Sequence, residues 1–141
     1  MAYGFAPSTI TASTSLTREN HANGPWVRLS ADTGLTVTLP DATGTGDIYK
    51  IVVITTVTAN GYIVTVNNTD DSFYGGVAKS TDIDGITELA VAGDDTYTMS
   101  GTTTGGIKGS WMTFEDAGSG IWVVNGFQCS SGTEATGFSA S

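Results

Sequence analysis

The 141-residue chain has one cysteine, one histidine, three prolines and only five basic residues. Each scarcity removes a class of explanation. With Cys129 alone no disulfide can close within the chain, so burial and backbone pairing must hold the fold. The lack suits assembly in a reducing cytosol. Nucleophilic catalysis needs a nucleophile, a base and an orienting group, and His21 sits by itself in a polar segment. The sequence therefore reads His21 as a solvent-exposed side chain. Cys129 has no nearby histidine or basic cluster to stabilise a thiolate. The basic residues Arg18, Arg28, Lys50, Lys79 and Lys108 are scattered, whereas counterion-release binding needs several cations on one surface. No nucleic-acid partner is expected. No apolar run approaches the length that spans a bilayer, so no membrane partner is expected either. The opening MAYGFAPSTITAST lacks the basic and apolar regions of a secretory signal, and the Asn67-Asn68-Thr69 sequon carries no weight without one.

What is present is acid, glycine and short apolar alternation. Fourteen Asp and Glu against the five Lys and Arg give a net charge of −9, which favours solubility and opposes self-aggregation. Such a surface suits the outside of a DNA-filled particle, and equally an acidic marine or secreted protein. The length fits one domain with a real core.

Leu35 to Val66 is the most legible stretch. Leu35, Val37 and Leu39 alternate with Thr36 and Thr38, the two-residue period of a half-buried strand, and Pro40 stops it. Ile48 to Val57 is apolar on both faces, as a central strand covered on each side would be. Asn60-Gly61 predicts a tight hairpin turn returning through Tyr62 to Val66. Further short strands are expected at Trp26–Ser30, Val77–Thr81, Ile86–Val91, Thr96–Ser100, Lys108–Glu115 and Ile121–Phe127. In the last pair Met112 and Phe114 oppose Trp111 and Thr113, and Trp122 and Val124 alternate with Ile121 and Val123. No window carries a long helix. The expected fold is all-β: a single-domain antiparallel β-sandwich, jelly-roll-like, with extended terminal arms. A parallel β-helix is the structural alternative, but no short internal repeat supports it.

The expected organisation is an N-terminal arm over residues 1–20, a sandwich over 21–129 and a C-terminal tail over 130–141. Tyr3, Phe5 and Ile10 stand out in the first arm and Phe138 in the second. A frayed terminus is where disorder usually concentrates, but a solvated tail rarely carries aromatics. These four residues are the candidate contacts to a partner or a neighbouring subunit.

Chemistry is sparse. Lys108-Gly109-Ser110 has the wrong order for a phosphate-binding loop. Asp82-x-Asp84-Gly85 starts like a calcium loop, but Gly93 stands where the bidentate Glu belongs. The acidic pairs Asp70-Asp71, Asp82 with Asp84, and Asp94-Asp95 all fall in predicted turns, where Asp caps local N–H groups. A paired-carboxylate glycosidase would need a sugar cleft for which these short strands leave little room. No enzyme activity, metal or cofactor is expected. A receptor- or carbohydrate-binding module would stack Trp26 or Tyr74 on sugar rings, although both read more naturally as core.

The segments TVTLPDATGTGDIYKIVV (Thr36 to Val53), GGIKGSWMTFEDAGSGIWVVNGF (Gly105 to Phe127) and SSGTEATGFS (Ser130 to Ser139) resemble small virion structural proteins of tailed bacteriophages, particularly head decoration proteins. The likeness runs from about Leu16 to Phe138, with Gly137 standing where Pro is common in such proteins. The resemblance implies a non-enzymatic β-domain that docks on the major capsid protein at the outer surface of an assembled capsid, often as a homotrimer, after synthesis in the host cytoplasm. It carries no catalytic or metal motif. Similar sequences serve in tails or head fibres, which keeps a host-receptor or carbohydrate-binding role as the alternative.

Overall fold

The computed structural model describes residues 7–141. In its first half, strands β1 (Ser8–Ile10), β2 (Thr14–Ser15), β3 (Trp26–Leu29), β4 (Leu35–Leu39), β5 (Ile48–Val53) and β6 (Tyr62–Val66) follow one another, with one helical turn, α1 (Arg18–His21), between β2 and β3. The second half holds β7 (Ser72–Ser80), β8 (Gly85–Leu89), β9 (Thr96–Met99), β10 (Trp111–Gly118), β11 (Ile121–Cys129) and β12 (Phe138–Ser139). They form a seven-stranded sheet in the order β1-β3-β5-β10-β11-β7-β8 and a five-stranded sheet in the order β12-β9-β6-β4-β2. The chain is an all-β sandwich.

Both sheets are mixed, which corrects the expectation of purely antiparallel pairing. The first six strands alternate between the sheets, so every second strand runs the same way. β1, β3 and β5 are parallel in one sheet, and β2, β4 and β6 in the other. The result is a two-sided coil, close in principle to the β-helix alternative. Its turns are unequal: Ser8 lies beside Val27, and Val27 beside Ile51. That irregular step is why no repeat is visible in the sequence. The second half supplies the antiparallel pairs β7–β8, β10–β11 and β6–β9, with β11 parallel to β7.

Asn60 and Gly61 do adopt positive φ, 62° and 75°, but they do not close a hairpin. β5 ends at Val53, and the turn delivers the chain into the other sheet, where β6 lies between β4 and β9. Coil stacking decides this. Leu35 N–H donates to Gly61 C=O, and a Cβ on Gly34 (φ 86°) would lie 2.4 Å from that oxygen. Only glycine lets the two turns approach so closely.

β5 is central, flanked by β3 and β10, yet only Tyr49, Ile51 and Val53 are buried; its other face is not covered. The alternation in β10 and β11 is as expected, with Met112, Phe114, Trp122 and Val124 inward. One continuous core joins the inner faces of both sheets, around Tyr49, Tyr62, Phe73, Tyr97, Phe114 and Trp122. Phe73 of one sheet meets Phe138 of the other edge-on at 6.3 Å, and Tyr49 meets Trp122 at 5.7 Å. Such aromatic pairs add about 0.5–1.5 kcal/mol each beyond their buried area.

The described terminal residues are built into the sandwich. β1 and β2 each join a sheet, and β12 pairs with β9. Ile10 is buried in the core and so is Phe138, whose ring lies 4.8 Å from that of Tyr97. Neither is a free anchor in this chain, a correction to their reading as arm contacts. Burial within the same molecule satisfies them at less entropy cost than ordering a distant arm. Tyr3 and Phe5 lie outside the described residues.

Candidate functional site

The two outer faces of the sandwich differ in chemistry. The five-stranded sheet turns Thr36 and Thr38 of β4, Ile63 and Thr65 of β6, and Thr96 and Thr98 of β9 outward. Thr65 and Thr96 share a hydroxyl hydrogen bond at 3.0 Å across the strands. That face is nearly all threonine, and water suits it.

The seven-stranded sheet turns outward a different set. Arg28, Val52, Trp111, Phe127, Ala78 and Thr87 form one row across neighbouring strands. Ile48, Glu115, Val123 and Tyr74 form another. Between them lies the Lys50 ammonium, 4.9 Å from the centre of the Trp26 ring, a cation–π contact. Tyr74 is 47 % exposed and Val123 44 %. The expectation that Tyr74 is core is therefore overturned: its phase in β7 is opposite to that of buried Phe73. Trp26 is half-buried. Two rows rich in apolar and aromatic side chains, on either side of a polar row of Lys50, Thr113 and Asn125, set this face apart from the threonine face as a candidate interaction surface.

Behind this face the C-terminal segment is clamped. Lys79 is buried in β7, ion-paired with Glu88 of β8, and donates to the Ala135 carbonyl. The Glu88 carboxylate accepts the N–H groups of Gly137 and Phe138 at 3.0 and 3.1 Å. Asp95 in turn accepts the backbone N–H and hydroxyl of Ser141, each at 2.8 Å. Burial, with Glu88 adding to it, pushes the Tyr97 phenol far up, and its hydroxyl donates to Thr104 C=O at 3.0 Å. Sequence reasoning passed over Lys79 and Glu88. A signal was there: Lys79 has the inward phase of Phe73 and Val77, so its charge needed an internal partner.

Several other carboxylates hold backbone. Asp116 accepts the N–H groups of Thr43, Gly44, Thr45 and Gly118 and the Thr45 hydroxyl. Burial alone would raise its pKa; these bonds outweigh it and hold the carboxyl below its ordinary value. Asp71 accepts Ala42 N–H, Asp94 accepts Val91 N–H, and Asp84 accepts Gly85 N–H. Asp84 and Asp94 thus cap their own turns, whereas Asp71 and Asp95 hold the distant Ala42 and Ser141, a correction to the expectation that all the acidic pairs cap locally. A cavity of about 140 Å³ beside Asp116 is lined by Arg18, Asp41, Asp47, Tyr49 and Trp122. Arg18 is engaged with Asp47 at 3.1 Å. Burial first, then the Asp47 and Asp116 charges, push the Tyr49 phenol up to about 12, where it is a poor general acid or base at neutral pH. Among the described residues no three His, Cys, Asp or Glu converge on a metal position.

His21 corrects its sequence reading: it is buried, and its Nδ1 accepts Thr17 N–H at 2.9 Å. Cys129 is half-buried at the end of β11, its N–H donating to the Ser110 hydroxyl. Among the described residues no helix is long and apolar enough to cross a membrane. No family model, no curated protein and no solved structure matches the chain.

Proposed function

We propose that this chain is a structural virion protein that docks on the outside of an assembled phage capsid and stabilises it, acting as a homotrimer and without a catalytic step. One observation carries the reading: the open face of the seven-stranded sheet, with Trp26, Trp111, Phe127, Val123 and Tyr74, lies opposite a face covered in threonine. The resemblance of its segments to head decoration proteins supplies the partner class, the major capsid protein. A clamp that touches several capsid subunits gains avidity beyond any single contact. Because it binds the assembly and not free subunits, it stabilises the assembled state by mass action. The net charge of −9 keeps the undocked protein soluble.

Co-sedimentation with purified expanded capsids of the host phage, with light scattering of the free protein, tests this. A trimer that pellets with capsids, and whose Tyr74→Ala, Phe127→Ala variant stays folded but remains in the supernatant, is the expected result. A monomer that ignores capsids overturns the proposal. Exposed Tyr74 and half-buried Trp26 favour one second reading, a fibre or tail module stacking on sugar rings; binding to a glycan array in place of capsids would establish it.

A further inference from the structure

Among the described residues the sandwich has four sheet edges, and three are short: β1 has three residues, and β2 and β12 have two each. β8 is the exception, five residues that among the described strands pair only with β7. Alternate residues of such a strand direct N–H and C=O away from the sheet, a template for a further strand. Soluble proteins blunt long edges with proline, lysine, a bulge or an inward-pointing charge. β8 contains no proline and no lysine, and its register with β7 is unbroken from Gly85 to Leu89. Its one charge, Glu88, is neutralised inside the molecule by Lys79. Apolar exposure also concentrates here: Ile83 is 91 % exposed, Leu89 74 % and Val91 65 %.

We propose that the β8 edge accepts an extended strand of another protein, apolar along its length and carrying lysine or arginine at the end that meets the Asp82 and Asp84 turn. Charge chooses this occupant over a second copy. Asp82 and Asp84 lie exposed in the turn that leads into β8, and Lys79 of the neighbouring β7 is buried. A second copy would bring the same net charge of −9. Like net charges oppose association, whereas a strand with a basic end neutralises the Asp82 and Asp84 turn and steers the encounter. Backbone hydrogen bonds supply affinity, and the flanking Ile83, Leu89 and Val91 supply apolar contact. The inference rests on the docking reading for the partner's identity, but not for the edge itself.

The test is amide hydrogen exchange on the full chain mixed with a synthetic peptide of alternating valine and threonine, lysine at both ends. The control peptide carries glutamate there. At saturation the lysine peptide is expected to slow exchange within Gly85–Leu89 by about tenfold or more, and the glutamate peptide to leave it unchanged. An I83K, L89K variant, altered only at well-exposed positions, is expected to stay folded and lose the effect. No slowing, or equal slowing by both peptides, overturns the inference. So does slowing in the protein alone as its concentration rises, which would make a second copy the occupant. Repeating the measurement with capsids separates the two proposals. Capsid pelleting with no peptide-induced slowing at Gly85–Leu89 sinks the edge inference and leaves capsid docking standing. Peptide-induced slowing without pelleting does the reverse.

Discussion

Lys79 and Glu88 form an ion pair in the interior between β7 and β8, and the same carboxylate holds the Gly137 and Phe138 amides. Lys79 also sits 5.7 Å from the Tyr97 ring centre. One charged pair thus joins the edge strand of one sheet to the last strand of the other.

Removing one partner leaves the other charge unpaired and nearly buried. Lys79→Met is expected to cost about 3–5 kcal/mol, the range for a broken buried pair. Urea unfolding measures it. The double variant Lys79→Met, Glu88→Leu should recover part of the loss, but not all, because the Gly137 and Phe138 amides lose their acceptor. A double variant as unstable as the single would argue against the pair as the cause.

Phe138 lies between Tyr97 and Phe73 in the core. Phe138→Ala should destabilise by about 3–5 kcal/mol, and limited proteolysis should then cut within residues 130–141. A Phe138→Ala protein as stable and protease-resistant as the wild type would return Phe138 to the role of an external anchor.

Asp116 gives an acid dependence of known sign. Its folded pKa lies below the ordinary 3.8, so the unfolded chain binds more protons as pH falls from that value toward the folded one. The stability it contributes is complete above about pH 4 and is lost below it. Asp116→Asn should cost about 1.5–3 kcal/mol at pH 7. The gap between the variant and the wild type, read from urea midpoints, should close progressively below pH 4.

His21 acts at a higher pH. Burial lowers its pKa from 6.5, and protonation at Nδ1 would break the bond from Thr17 N–H. The unfolded chain therefore takes up the proton first. The contribution is present above about pH 6.5 and falls as pH drops toward the folded value. His21→Gln is expected to flatten the stability profile just below pH 6.5 and leave the acid transition of Asp116 in place. A wild-type profile already flat there would overturn this assignment.

The open face was half legible. Alternation in β10 and β11 fixed which residues of each strand share a side, so Trp111 was already set opposite Met112. That Trp111 lies beside Phe127, and Val123 beside Tyr74, depends on pairing between strands far apart in sequence. Tyr74 was misassigned because its size suggests burial while its phase decides exposure.

Local chemistry determined most strands and turns between residues 26 and 129, and the all-β class. Alternation has a period of two whatever the neighbour, and glycine and proline act on their own backbone. Asp at turns was legible for the same reason. The tertiary structure alone decided which strands pair and in which direction. The chain leaving Ile48–Val53 crosses to the other sheet instead of folding back in a hairpin, and the turns at Gly34 and Gly61 come into close contact there. It also decided that Phe138 belongs to the core and that Lys79 meets Glu88. Both are contacts between residues brought together only when the two sheets close, a step no local pattern encodes.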